Sequence, residues 1–253
     1  MELRGEAAIV TGGASGLGRA TAIALKARGA NVAIFDVNAD SAARVADEIG
    51  GYSAACDVGD ETAAEAAIAA AAGAVGPARV LVNCAGIAPA KRVLGREGPH
   101  PLGDFEDVVR VNLVGAFNMI RLAAARMAKL EPTASGDRGV IVSTASVAAF
   151  EGQVGQAAYS ASKAGIVGMT LPIAREFAPI AIRVNAIAPG VFGTPMLSAL
   201  PREAQGSLER SVPYPARLGD PKEFAALVVH IVENGYLNGE TIRIDGALRM
   251  APR

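Results

Sequence analysis

Short apolar runs alternate along this chain with longer stretches in which apolar residues recur every three or four positions. Ala7-Ala-Ile-Val-Thr11 is apolar at nearly every position, as a strand buried on both faces should be. Residues 16–28 carry a helical pattern that stops before Gly29, 31–35 read as a second strand, and 41–49 as a helix ending at Gly50-Gly51. A short strand over 53–56 precedes an alanine-rich helix, 60–75, for which Asp60 is the predicted N-cap. Strands over 79–83 and 139–143 flank one long helix, 104–130. A helix over 157–177, with Pro172 inside it, is followed by a strand over 182–187, a helix over 222–233 and a final strand over 240–244. Alternation of this kind predicts an α/β fold: a doubly wound parallel sheet of seven strands with helices on both faces, forming a single domain over 1–253. One segment breaks the rhythm. Between Gly190 and Asp220, prolines and glycines replace periodicity, which predicts an irregular loop of the kind that binds substrate.

The first strand runs into Thr11-Gly-Gly-Ala-Ser-Gly-Leu-Gly18, which opens the first helix. Gly12, Gly16 and Gly18 allow a tight turn and let backbone approach a pyrophosphate, and the helix N-terminus offers N–H groups to phosphate oxygens. In this strand–turn–helix context the motif points to a dinucleotide and a Rossmann fold. Asp36, at the end of the second strand, suits adenosine ribose hydroxyls and repels a 2′-phosphate; Val37 and Asn38 follow it with no basic residue, so NAD is expected over NADP. Asp57 and Val58 close the third strand where adenine would lie, and Asn83-Cys84-Ala85-Gly86 closes the fourth. Together these strand ends line the sheet edge at which ligands bind in open α/β folds.

Composition narrows the picture. Of 253 residues, 51% are hydrophobic, enough for a large core, and the net charge of -1 argues against extensive contact with nucleic acid. Cys56 and Cys84 lie in apolar segments without metal-ligand or disulfide spacing, so two reduced thiols and no metal are expected. His100 and His230 read as structural. The opening residues lack a basic stretch followed by an apolar one, and the uncharged stretch 184–201 is broken by Pro189, Gly190, Gly193 and Pro195. The expectation is a soluble cytoplasmic protein, or a mitochondrial matrix one in a eukaryote, with no membrane partner.

Tyr159 and Lys163 stand one helical turn apart, so a phenol and an ammonium share a face. A tyrosine titrates near 10 in water, and a fixed cation beside it favours the phenolate and makes it usable as a base. Ser146 waits at the end of the apolar run that begins at Gly139.

T-G-x-x-x-G-x-G, N-x-A-G, Asn112, Ser146, Y-x-x-x-K and Pro189-Gly190 occur in the order of the short-chain dehydrogenases/reductases, a family the chain resembles over nearly its whole length. The stretches from Ser146 to Lys163, Pro189 to Pro195 and Arg217 to Pro221 are similar to its type II 3-hydroxyacyl-CoA dehydrogenase branch, also called 17β-hydroxysteroid dehydrogenase type 10. The resemblance implies reversible hydride transfer between a secondary alcohol and NAD, with an acyl-CoA as small-molecule substrate. A hydroxysteroid or other secondary alcohol is the alternative, and a non-catalytic scaffold or RNA-binding subunit a more distant one. It implies Tyr159 as general acid/base, Lys163 on the nicotinamide ribose, Ser146 on the substrate oxygen and Asn112 as anchor of a proton-relaying water. Ser15 and Leu17 would join the glycine-rich turn at the cofactor, Cys84 would contribute backbone, and Pro189, Phe192 and Thr194 would lie by the nicotinamide. Relatives in this family are commonly tetrameric, and apolar faces on the helices over 104–130 and 157–177 suit pairing between subunits, so a homotetramer is expected.

Overall fold

A computed structural model describes residues 1–96, 98–198 and 202–252. β1 (Ala7–Thr11), α1 (Gly16–Ala27), β2 (Asn31–Asp36), α2 (Ala39–Ile49), β3 (Tyr52–Ala55), α3 (Glu61–Val75) and β4 (Ala78–Asn83) form the first half. A two-residue ribbon of β5 (Leu94–Gly95) and β6 (Gly98–Pro99) precedes α4 (Leu102–Val109), a π-helical turn (Arg110–Val114) and α5 (Gly115–Met127). β7 (Gly139–Thr144), α6 (Ala157–Phe177), β8 (Ile182–Pro189), α7 (Pro195–Ser198), α8 (Arg202–Arg210), α9 (Pro221–Glu233) and β9 (Thr241–Ile244) complete the chain.

Successive side chains of a strand point to opposite faces, and that alternation assigns the helices to layers. Ala8 and Val10 of β1, Val32 and Ile34 of β2 and Val80 and Val82 of β4 share one core with Leu25 of α1, Val45 of α2 and Phe224 and Val228 of α9. Ile9, Phe35, Leu81 and Ile141 point the other way, onto Ile68 of α3, Met119 and Ile120 of α5 and Ile173 of α6. The seven strands run parallel in the order β3-β2-β1-β4-β7-β8-β9. This is the doubly wound sheet read from the sequence. The order reverses at β1, which puts a crevice between the carboxyl ends of β1 and β4.

Besides the β5–β6 ribbon, which falls where no strand was expected, two elements differ from expectation. The long helix over 104–130 is interrupted: the Gly115 amide donates to the Arg110 carbonyl, five residues back, and the extra residue in that turn reorients α5 relative to α4. The segment 190–220 is not wholly irregular, since α7 and α8 lie within it; residues 199–201 fall outside the described residues. The run Leu102–Met127 is long and apolar enough to cross a membrane by length and composition alone, but Met119, Ile120, Ala123 and Met127 are buried in the core against the sheet.

Candidate active site

The carboxyl ends of β1, β2, β3, β4, β7 and β8 open onto a single cavity of about 410 Å³. Its floor is the turn after β1. Gly12 holds a left-handed φ of 62°, and a β-carbon there would come within 2.7 Å of the Ala85 amide nitrogen, so the two strand ends approach as closely as they do because residue 12 has no side chain. α1 begins at Gly16 with no side-chain cap and no acid in its first turn, leaving the positive end of its dipole toward the cavity.

Asp36 is held by two amides, Ala14 N donating to Oδ2 at 3.2 Å and Asn38 N to Oδ1 at 3.0 Å. Asp57 accepts from the Gly59 amide at 2.9 Å and from Arg110 Nη1 at 2.9 Å. Burial works to raise the Asp57 pKa, but the Gly59 amide and the Arg110 guanidinium together hold it below the usual carboxylate range. Cys56 and Cys84 also reach the cavity wall, and burial pushes both thiols up to about 11.

At the other end α6 begins at Ala157, which sets Tyr159 in its first turn and Lys163 one turn on. Lys163 Nζ lies 5.8 Å from the centre of the Tyr159 ring and donates to the Thr144 carbonyl at 2.6 Å. Ser146 Oγ accepts from the Ala148 amide at 3.1 Å, which orients the hydroxyl at the end of β7. The expected low tyrosine pKa is not a property of these side chains alone. Burial holds Tyr159 above its ordinary value, with the Ser146 hydroxyl pulling the other way, and burial pushes Lys163 down to about 8. The dry surroundings that bring the pair together weaken the lysine's charge as well.

Gly12, Ser15, Gly16, Leu17, Gly18, Asp36, Asp57, Val58, Cys84, Ala85, Gly86, Ser146, Tyr159, Lys163, Pro189, Phe192 and Thr194 all line this cavity. Two residues predicted at the site do not reach its wall. Asn83 is buried and donates to Ser143 Oγ at 3.2 Å, bracing β4 against β7 rather than facing a cofactor. Asn112 is buried in the π-helical turn; its Oδ1 accepts from Ile87 N at 2.8 Å, and its Nδ2 donates to Ile87 O at 2.8 Å and Ser162 Oγ at 3.0 Å. It therefore braces the segment after Gly86 against α6. Conversely, Val37, Ile87, Arg110, Val111 and Thr144 are wall residues that sequence reasoning passed over. Thr144 was findable as the last residue of the β7 run, and Val37 as the neighbour of Asp36; nothing in the sequence marks Arg110.

A family model for short chain dehydrogenases matches residues 6–205. The chain belongs to the short-chain dehydrogenase family. A 3-hydroxyacyl-CoA dehydrogenase type-2 of Homo sapiens is 54% identical over 254 residues, covering 99% of this chain and 97% of that protein. The protein of that name from Drosophila melanogaster is 51% identical, covering 99% of this chain and all of its own. A crystal structure of a 3-hydroxyacyl-CoA dehydrogenase type-2 from Mycobacterium avium superposes with a TM-score of 0.93 at 41% identity and full coverage of both chains. As a short-chain dehydrogenase the protein is an oxidoreductase, and dehydrogenases of this family use NAD or NADP. The cavity fits such a dinucleotide. Gly12, Gly16, Gly18 and Gly86 all line it and present backbone without side chains, and a side chain at Gly18 would strike the Gly12 carbonyl, so the turn closes as tightly as it does only with glycine there.

Proposed function

We propose that this protein is an NAD-dependent 3-hydroxyacyl-CoA dehydrogenase, moving a hydride reversibly between the 3-hydroxyl carbon of an acyl-CoA and the nicotinamide. The observation that carries the reading is the full-length identity to proteins of that name, joined to the convergence of Ser146, Tyr159 and Lys163 on one end of the dinucleotide cavity. Bound NAD supplies the hydride acceptor. The chain's own residues supply position and proton transfer. Ser146 Oγ, held by the Ala148 amide, meets the substrate oxygen. Tyr159 takes the hydroxyl proton during oxidation and returns it during reduction, a contribution typically of about 10²–10⁴-fold in rate. Lys163 holds nicotinamide ribose hydroxyls and adds its own charge. Asn112, from behind Gly86, keeps the path beside Lys163 in shape. Asp36, its oxygens already pinned by two amides, accepts from adenosine ribose hydroxyls and disfavours a 2′-phosphate, so the cofactor is NAD.

The test is steady-state kinetics with NADH on acetoacetyl-CoA and on a panel of oxosteroids. Acetoacetyl-CoA should turn over with kcat/KM in the ordinary enzyme range of about 10⁴–10⁸ M⁻¹s⁻¹. Failure to reduce any 3-oxoacyl thioester overturns the reading, and a higher kcat/KM on a steroid transfers the site to hydroxysteroid chemistry.

We further propose a homotetramer. Val114 at the end of the π-helical turn, Phe117 on α5 and Leu171 on α6 are large apolar side chains left 43–49% exposed, and they lie on the two stretches expected to pair between subunits.

A further inference from the structure

Ser146 and Tyr159 are joined by a segment, 150–156, that no strand or helix covers. One residue in it is gripped unusually tightly. Glu151 Oε1 accepts from Arg243 Nη1 at 2.9 Å and is ion-paired with Arg249 Nε at 3.2 Å; Oε2 accepts from Arg243 Nη2 at 3.2 Å and the Met250 amide at 3.1 Å. Arg243 projects from β9, the last strand of the sheet. It binds Glu151 with both ends of its fork, donates Nε to Asp245 Oδ2 at 2.7 Å and lies 5.4 Å from the centre of the Phe150 ring. These side chains are only 24%, 23% and 9% exposed for Arg243, Glu151 and Asp245, unlike the solvated pairs that contribute little.

The same short stretch reaches the other loops at the site. Gly190 N donates to the Ile244 carbonyl at 2.9 Å, and a β-carbon at Gly190 would meet Asp245 Cβ at 2.8 Å. Tyr214 N, beyond α8, donates to the Gly246 carbonyl at 3.2 Å. The segment 150–156 is held from its far side too, Val154 N donating to Pro252 O at 3.1 Å and Gln153 Nε2 to Ala251 O at 3.0 Å. The strand that carries Arg243 is thus the fixed post to which the loops after Ser146, Pro189 and α8 are tied.

We propose that Arg243 is a positioning residue for the reaction: by gripping Glu151 it fixes segment 150–156, and with it the separation of Ser146 from Tyr159. This rests on the assignment of those two residues to substrate oxygen and proton transfer. The fork is required because two parallel N–H groups set direction as well as distance, which an ammonium does not. Displacing a reacting group by about 1 Å costs up to about 10²-fold in rate.

The experiment compares Glu151→Gln, Arg243→Lys and Arg243→Ala, with turnover expressed per NADH-binding site from fluorescence titration. Glu151→Gln and Arg243→Lys should lose about 10-fold to 10²-fold in kcat while the NADH dissociation constant moves less than about threefold, and methylguanidinium should restore part of the activity of Arg243→Ala. Wild-type kcat per NADH site in Glu151→Gln and Arg243→Lys overturns the proposal. So does a loss of activity matched by an equal loss of NADH sites, which is general unfolding. Tyr159→Phe, measured alongside, separates the two claims. If it is active, the catalytic assignment has failed; if it is inactive while Glu151→Gln is normal, only the role of Arg243 has.

Discussion

Tyr159 and Lys163 show how burial and charge compete at a single pair. The lysine ordinarily titrates at 10.5; buried, it does so near 8, so its charge is lost as the pH rises through about 8. Tyr159, raised, keeps its proton through that range. Reduction needs a protonated tyrosine and a charged lysine, so kcat/KM for NADH, which reports the free enzyme, should fall on the alkaline side with a midpoint near 8. A pH–rate profile flat to pH 10 would remove the lysine from that role. Tyr159→Phe should lose at least about 10²-fold in turnover and keep its NADH affinity, measured by fluorescence titration. Asp36→Arg removes the charge that opposes a 2′-phosphate and supplies one that pairs with it, so the ratio of kcat/KM for NADPH over NADH should rise; an unchanged ratio would place cofactor choice elsewhere.

Elements, more than residues, decided how much of this site was legible in advance. Strand runs and the glycine-rich turn are local patterns, and each of those read from the sequence fell within two residues of where its spacing put it. The π-helical turn was not legible, because Arg110-Val-Asn-Leu-Val114 has ordinary helical periodicity on either side and the i+5 bond is imposed by what packs there. Val58 touches the space a β-carbon on Gly115 would need, at 2.5 Å, and Asn118 Nδ2 donates to the Val58 carbonyl at 2.9 Å. α8 was missed for a different reason: its sequence, Arg202-Glu-Ala-Gln-Gly-Ser-Leu-Glu-Arg210, is polar on most faces and sits among prolines. The start of α9 was readable, since Asp220-Pro-Lys-Glu223 is a capping box, with Lys222 N donating to Asp220 Oδ1 at 2.9 Å and Asp220 N to Glu223 Oε2 at 2.8 Å. Asp220→Ala should therefore lower stability by about 1 kcal/mol, seen as a lower melting temperature. Arg217, hydrogen-bonded to Glu223 through both nitrogens, and the Asp220 amide pull the Glu223 carboxyl down to about 2. Its contribution is complete above the ordinary value of 4.5 and disappears as the pH falls toward 2, so Glu223→Gln should flatten the acid limb of the stability curve. Just ahead of the box, a β-carbon on Gly219 would press on the Phe192 ring at 2.7 Å, and Phe192 lines the cavity beside Thr194. Gly219→Ala should weaken NADH binding more than it lowers the melting temperature.

The whole molecule is organised by long-range ties that no sequence pattern announces. Arg183 on β8 is 6% exposed and donates to Asp137 and to the carbonyls of Ile231, Val232, Asn234 and Leu237, joining the penultimate strand of the sheet to the end of α9 and the turn after it. Truncating it takes a donor from several carbonyls and leaves the Asp137 carboxylate only Ser135 Oγ at 3.2 Å and the N-terminal ammonium at 3.5 Å, so Arg183→Leu should destabilise the protein by about 3 kcal/mol in chemical denaturation. If the exposed apolar residues of α5 and α6 meet across subunits, light scattering will give a mass about four times the 25.6 kDa chain, and Phe117→Glu will reduce it. The sheet order has a further consequence, for the chain as it is being made. Ala8 pairs with Val32 on one side and with Val80 on the other. On the ribosome, β1 gains its first neighbour early and then presents a bare parallel edge until β4 emerges, so a strand that the finished sheet buries on both sides is for a time open to chaperones and to misassociation. The two walls of the cavity are also made at different times. Gly12, Asp36 and Asp57 can be in place before Tyr159, Pro189 and Thr194 have been translated, so a half-made chain already presents one end of its dinucleotide groove.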